Sequence, residues 1–196
     1  MKLNLPNKLT VFRMVMIPVF IVLYFVEFEG HTAAALAVYF IACLTDFFDG
    51  YIARKNNLVT NLGKFIDPIA DKMIIACSLI AICVTEPIVA TVHVYRILIA
   101  VYTMLILSRE LMISVFRTVA ADKRVVIAAD MTGKIKTVVQ MMALFALLPV
   151  TDFYVWNPLA GEVFFYGGFI LLSIAALLTV ISGVHYIIKN RAVLEG

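Results

Sequence analysis

Four carboxylates carry the chemistry most readily read from this chain. They lie in Asp46-Phe-Phe-Asp49-Gly50-Tyr-Ile-Ala53-Arg54 and in Gly63-Lys-Phe-Ile-Asp67-Pro-Ile-Ala-Asp71. On a helix, Asp46, Asp49, Gly50 and Ala53 share one face at i, i+3, i+4 and i+7; Gly63, Asp67 and Asp71 share another at i, i+4 and i+8. A short hairpin between two such helices sets the faces against each other. Four negative charges packed in low dielectric repel and take up protons, and a bound divalent cation removes that conflict. Hard oxygen ligands without His or Cys suit Mg²⁺ or Mn²⁺ rather than Zn²⁺. Two such ions about 3.5–4 Å apart form the usual clamp for displacement at phosphorus. Gly50, Ala53 and Gly63 leave room for a bulky ligand near the backbone, and Arg54 offers a planar fork to a phosphate. An ion-pair network, Asp46 with Arg54 or Asp71 with Lys72, would explain one intramembrane Asp. It explains four, interleaved with small residues on two faces, poorly.

The elements that hold these residues follow from composition. Of 196 residues, 63% are apolar and 15% charged, against about 45–50% and about 25% in an ordinary soluble domain. That surplus is more than one compact core buries. Disorder needs low hydrophobicity and high net charge, and a transmembrane barrel needs alternating segments of about ten residues. The expectation is an all-α integral membrane protein with six transmembrane helices and a short N-terminal amphipathic helix, forming one membrane domain over 1–196. Cys43, Cys77 and Cys83 lie in apolar runs and are odd in number, which fits small hydrophobes rather than a disulfide framework.

Six stretches lack Asp, Glu, Lys and Arg: Met14–Val26, Thr32–Thr45, Met73–Thr85, Ile97–Ser108, Thr137–Thr151 and Val163–Ile188. Only the last spans about 30 Å of hydrocarbon by itself. The other five reach membrane length by drawing in charged edges: Arg13, Asp46, Asp71 with Lys72, Arg109, and Lys134 with Lys136. Ionisable groups inside a span are costly and mark functional sites. Breakers predict helices near 11–27, 32–55, 62–85, 90–120, 131–149 and 162–188, with an amphipathic lead-in at 2–8. Segments 1–13, 54–72, 109–136 and 189–191 hold fifteen of the sixteen basic residues. The positive-inside rule then puts both termini and the carboxylates at the cytoplasmic side of the cell membrane. The alanine tract 33–35 is a passable signal-peptide cleavage site, but it lies inside the next apolar stretch, so cleavage is not expected.

Three further sets combine polar and basic residues at span edges. Asn7-x2-Thr10-x2-Arg13 opens the first span; an Asn cap with a snorkelling Arg would also explain it. Arg109-Glu110 and Arg117 lie within the fourth, where Glu110 and Arg117, seven apart, could pair. Gly133-Lys134-Ile-Lys136-Thr137 opens the fifth, where backbone N–H groups, the helix dipole and Lys134 make an anion site; ordinary positive-inside flanking is the plainer account.

The pattern Asp46-x2-Asp49-Gly50-x2-Ala53-Arg54-x8-Gly63-x3-Asp67-x3-Asp71 resembles the signature of the CDP-alcohol phosphatidyltransferase family at every fixed position. Eight such positions at background usage on the order of 5% each make chance agreement at one register on the order of 10⁻¹⁰. The resemblance implies a membrane enzyme that transfers a phosphatidyl or similar group from a CDP-linked donor to an alcohol and releases CMP. By position it implies Asp46, Asp49 and Asp67 on one divalent cation, and Asp46, Asp67 and Asp71 on a second. It makes Asp71 the base on the acceptor hydroxyl, and Asn7, Thr10, Gly50, Arg54 and Thr60 contacts for the CDP portion. It also implies a homodimer. The basic groups exceed what a diphosphate and its metals need, so the acceptor is expected to carry a second anion. This pattern resembles bacterial members that use CDP-diacylglycerol and sn-glycerol 3-phosphate, with Arg109, Arg117 and Lys134, and less strongly Thr137 and Lys136, on the acceptor's phosphate. Inositol phosphate or another alcohol would serve the same chemistry. A cation transporter using the Asp cluster is the rival from another class, although such sites usually lie at the midplane between internal repeats.

Overall fold

Seven α-helices and no strand are found among the described residues of the computed structural model: α1 (Leu5–Phe25), α2 (His31–Lys55), α3 (Asn61–Val84), α4 (His93–Asp122), α5 (Met131–Leu147), α6 (Val150–Trp156) and α7 (Pro158–Lys189). The structure describes residues 5–55, 61–85, 93–123 and 131–191; of these, the side chains of 5–6, 47–55, 61–65, 67–68 and 122 lie outside the description. Among the described residues, four stretches are long and apolar enough to cross a membrane: Asn7–Phe25, His93–Ala121, Met131–Trp156 and Pro158–Lys189, with a shorter apolar helix at His31–Asp46. Helices α2 and α3, of 25 and 24 residues, have lengths of about 36–38 Å at 1.5 Å per residue. The chain divides into two compact units. The first holds α1–α3, α6 and the first turn of α7; the second holds α4, α5 and the rest of α7.

In the first unit, α1 buries one stripe: Asn7, Thr10, Arg13, Ile17, Phe20 and Tyr24. The spacing of three and four residues keeps them on one helix face, polar at the start and apolar at the end. Residues 5–8, expected within a separate lead-in, form the first turn of α1 itself. Pro6 is tolerated there because first-turn N–H groups have no intrahelical acceptor. The turn into α2 depends on Gly30, whose φ of +80° is a left-handed conformation that suits glycine. Thr32, Ala35, Tyr39 and Ala42 form the matching buried stripe of α2. Phe20 meets Tyr39 at 6.5 Å between ring centroids, and His31 Nδ1 lies 2.9 Å from the Tyr24 carbonyl. The two helices therefore run antiparallel.

The short helix α6 was not anticipated from the apolar pattern. It brings Asp152 to the start of α2, where Oδ2 accepts the Ala33 backbone N–H at 2.8 Å. A carboxylate suits the positive end of a helix dipole. The last long helix also begins earlier than the predicted 162. Asn157 caps it, its Oδ1 accepting the Leu159 N–H at 3.0 Å, with Pro158 at the first helical position. Both are start signals, although in sequence Asn-Pro reads equally as a breaker.

In the second unit, α4 and α7 lie side by side and parallel. Tyr95 packs on Phe165 and Phe169, Tyr102 on Phe169 and Phe116 on Tyr186. The buried face of α7 includes Gly168, Ala175, Ala176, Thr179 and Ser182. Such small residues allow close helix approach within a membrane. A Cβ on Gly168 would come within 2.7 Å of Leu147 Cγ, so α5 approaches α7 through this gap. The outward faces carry Val115, Val163, Leu177 and Val184, all exposed. Such rows suit contact with lipid.

Candidate active site

The carboxylate cluster forms where the polar end of the α1 stripe meets α2 and α3. Arg13 is completely buried, and its Nη1 lies 2.9 Å from Asp46 Oδ1 and 3.5 Å from Asp71 Oδ1. The two carboxylates keep 44% and 46% of their side-chain surface. One buried guanidinium thus draws together Asp residues from two helices while leaving much of their surface open. Removing a charge from water is offset only by well-placed partners, which accounts for the pairing of Arg13. The open, all-oxygen donor set suits a hard divalent cation. Asp49, Gly50 and Arg54 lie on α2 and Asp67 on α3; their side chains, and Thr60 altogether, lie outside the described residues. Asn7 and Thr10 are buried on the same α1 face as Arg13. The pairings that the sequence offers are Asp46–Arg54 and Asp71–Lys72, with a snorkelling Arg13 as the alternative to a functional one; the structure pairs Arg13 with Asp46 and Asp71 instead. Its register with Asn7, Thr10 and Ile17 was the available signal that it faces inward.

The basic groups of the second unit surround a cavity of about 350 Å³. Its lining comprises Arg109, Glu110 and Arg117 of α4, Gly133, Lys134, Thr137 and Val138 of α5, and Tyr186 of α7. Of the five residues assigned from sequence to an acceptor phosphate, Arg109, Arg117, Lys134 and Thr137 border this one space. Arg109 is held on several sides: Nη1 donates to Glu110 Oε1 at 3.3 Å and Nη2 to Ser182 Oγ at 3.2 Å. The Ser182 hydroxyl in turn donates to the Thr179 carbonyl. Two glycines make room for the side chain, because a Cβ on Gly183 would stand 3.2 Å from Arg109 Cγ and one on Gly133 3.4 Å from Nη2.

Arg117 turns to Tyr186. Its Nε donates to the phenol oxygen at 3.2 Å, and its guanidinium carbon lies 5.6 Å from the ring centroid. This arrangement combines a hydrogen bond with cation–π attraction. Tyr186 is itself packed edge-on against Phe116, so the arginine rests on a fixed ring. Lys136 is absent from the cavity lining. It is buried and forms a short ion pair with Glu110 Oε1. The Thr137 hydroxyl donates its one proton to the Gly133 carbonyl at 3.0 Å, so it meets the cavity as an acceptor. Lysine 134 is exposed at the start of α5, where N–H groups and the helix dipole favour an anion. Tyr186 and Ser182 had no signal in sequence: each lies about 70 positions from its arginine inside an apolar run.

Comparison with known proteins fits these two clusters. The family model for CDP-alcohol phosphatidyltransferases matches residues 3–181. A CDP-diacylglycerol–glycerol-3-phosphate 3-phosphatidyltransferase of Bacillus subtilis (strain 168) is 36% identical over 205 residues, covering 98% of this chain and 97% of the relative. Proteins of the same name from Escherichia coli (strain K12) and Salmonella typhimurium (strain LT2) are each 33% identical, over 98% and 97% of this chain and 97% of each relative. The family is generally dependent on divalent cations. With a matched signature, a model match over most of its length and relatives at one-third identity end to end, the chain belongs to the CDP-alcohol phosphatidyltransferase family.

Proposed function

We propose that this protein transfers the phosphatidyl group of CDP-diacylglycerol to sn-glycerol 3-phosphate, giving phosphatidylglycerophosphate and CMP. The observation that carries the acceptor assignment is the cavity on which Arg109, Arg117 and Lys134 converge. Three basic side chains around one small space suit a phosphate monoester, which carries about −1.5 to −2 charge at pH 7. The names of the relatives support the same substrates.

In the reaction, the primary hydroxyl oxygen of the acceptor forms a bond to the phosphorus that bears diacylglycerol. The bond from that phosphorus to the CMP oxygen breaks, and CMP leaves. Asp71 receives the hydroxyl proton, a task for a carboxylate within hydrogen-bond reach. Arg13, held against Asp71 at 3.5 Å, fixes the position of that carboxylate. Asn7, Thr10, Gly50, Arg54 and Thr60 hold the CDP portion, while Arg109, Arg117 and Lys134 orient the acceptor. Asp46, Asp49 and Asp67 would hold one divalent cation, Mg²⁺ or Mn²⁺, and Asp46, Asp67 and Asp71 a second. When bound, such ions neutralise the diphosphate and the charge that develops on it. Catalysis is then largely positioning and electrostatics.

The same reading makes the chain one catalytic domain with six spans in the cytoplasmic membrane. Both termini and the Asp-bearing ends of α2 and α3 face the cytoplasm, and the protein is a homodimer. The match through residues 3–181 and the bias of basic residues support it. The test is an acceptor panel with purified protein, CDP-diacylglycerol and Mg²⁺ or Mn²⁺. CMP release that requires glycerol 3-phosphate is the expected result. Release with inositol phosphate or serine in its place would move the acceptor and keep the family chemistry. No release with any alcohol would overturn the reading.

A further inference from the structure

We propose that Lys136 and Glu110 form a charge-balancing pair that holds Arg109 ready for the acceptor's phosphate, which sets the cavity for a doubly charged monoester. This inference rests on the acceptor reading given above. Glu110 borders the cavity, and a lone carboxylate there would repel a phosphate and draw Arg109 into a closed pair. Lys136 prevents this from beneath. Its buried ammonium pairs with Glu110 Oε1, the same oxygen that accepts Arg109 Nη1 at 3.3 Å. One carboxylate oxygen is thus shared by two cations. Setting Lys136 against Glu110 leaves Arg109, Arg117 and Lys134 as three positive charges on the cavity wall.

The surroundings of Arg109 point the same way. Ser182 Oγ accepts a hydrogen bond from its Nη2, and a Cβ at Gly133 or Gly183 would press on its side chain. The guanidinium therefore has a slot formed by α4, α5 and α7, and Glu110 is the charged member of that slot. Lys136 and Glu110 are positioning residues: they act on the acceptor through Arg109. This also explains why a lysine two residues beyond Lys134, on the same helix, is buried while Lys134 is exposed.

The test measures kcat and both KM values for purified wild type, Lys136→Met, Lys136→Arg, the double variant Glu110→Gln/Lys136→Met, and Arg117→Ala. Lys136→Met is expected to raise KM for glycerol 3-phosphate about tenfold or more, the scale of one charged hydrogen bond. Its kcat and its KM for CDP-diacylglycerol should stay within about twofold. Adding Glu110→Gln removes the stranded carboxylate, so the pair should couple, with KM returning to within about threefold of wild type. Lys136→Arg should stay in that range. A double variant as impaired as Lys136→Met, or a single variant that weakens both substrates alike, overturns the inference. If Lys136→Met does not fold, the double variant decides, since it strands no charge: near-normal KM supports the pair and a tenfold rise overturns it. Arg117→Ala separates the two levels. An unchanged KM for glycerol 3-phosphate there removes the acceptor reading itself. A raised value there beside an unaffected Lys136→Met removes only the charge-balancing pair.

Discussion

Arg13 and Arg109 both lie inside apolar helices, and their surroundings differ in sign. Around Arg13 the cation is enclosed and its carboxylate partners, Asp46 and Asp71, stay nearly half exposed. That region presents negative charge, as the proposed site for metal and diphosphate requires. Around Arg109 the enclosed group is Lys136, which neutralises Glu110, and the arginines and Lys134 border the open space. That region presents positive charge. In both, a buried cation beneath the surface sets the charge available above it. The cost of burying a charge is met by the group it tunes, so neither arrangement is an incidental surface ion pair.

Four substitutions break or sharpen this contrast. The largest effect is expected in the negative region. Asp71→Asn should lower kcat by about 10³-fold or more, the scale of a lost general base, while CDP-diacylglycerol binding survives; near-normal turnover would take the base role from Asp71. Next, Arg13→Met should destabilise the metal-free protein by about 2 kcal/mol. This is less than the roughly 3–5 kcal/mol of a fully enclosed pair, because the stranded carboxylates remain solvated. A melting temperature unchanged within error would show that Arg13 does not organise the cluster.

Smaller effects belong to the positive region. Arg117→Ala should raise KM for glycerol 3-phosphate about 10–100-fold, from the loss of a charged hydrogen bond worth roughly 1.5–3 kcal/mol. It should leave KM for CDP-diacylglycerol unchanged, and equal weakening of both would erase the distinction between the regions. Tyr186→Phe keeps the ring under Arg117 and removes only the hydroxyl that its Nε reaches. One hydrogen bond of about 0.5–1.5 kcal/mol predicts a two- to tenfold rise in the same KM. A larger loss would mean that the phenol itself contacts the acceptor.

Much of the candidate site is legible in sequence because its spacing is local. Asp46, Asp49, Asp67 and Asp71 announce themselves by helical register, and Arg109, Arg117, Lys134 and Thr137 by standing where apolar spans are cut short. The roles within the basic set were less legible. Lys136 and Thr137 are neighbours in sequence and looked alike as phosphate ligands. Packing gives Lys136 to Glu110 and commits the Thr137 proton to the Gly133 carbonyl. The helix α6 escaped because its seven residues are too few for a periodic pattern to stand out, and the start of α7 because Asn-Pro reads equally as a break and as a cap.

Composition thus determined the class of this protein and intrahelical spacing the expected carboxylate faces, because a helix converts sequence separation directly into geometry; the family follows from the resemblance of the signature and from the relatives. What only the tertiary structure decided is which charge meets which. Arg13 finds Asp71 across 58 positions, Arg109 finds Ser182 across 73, and Arg117 finds Tyr186 across 69. No periodicity within one helix encodes such a partner. It is chosen when apolar faces pack and the polar groups caught between them must satisfy one another.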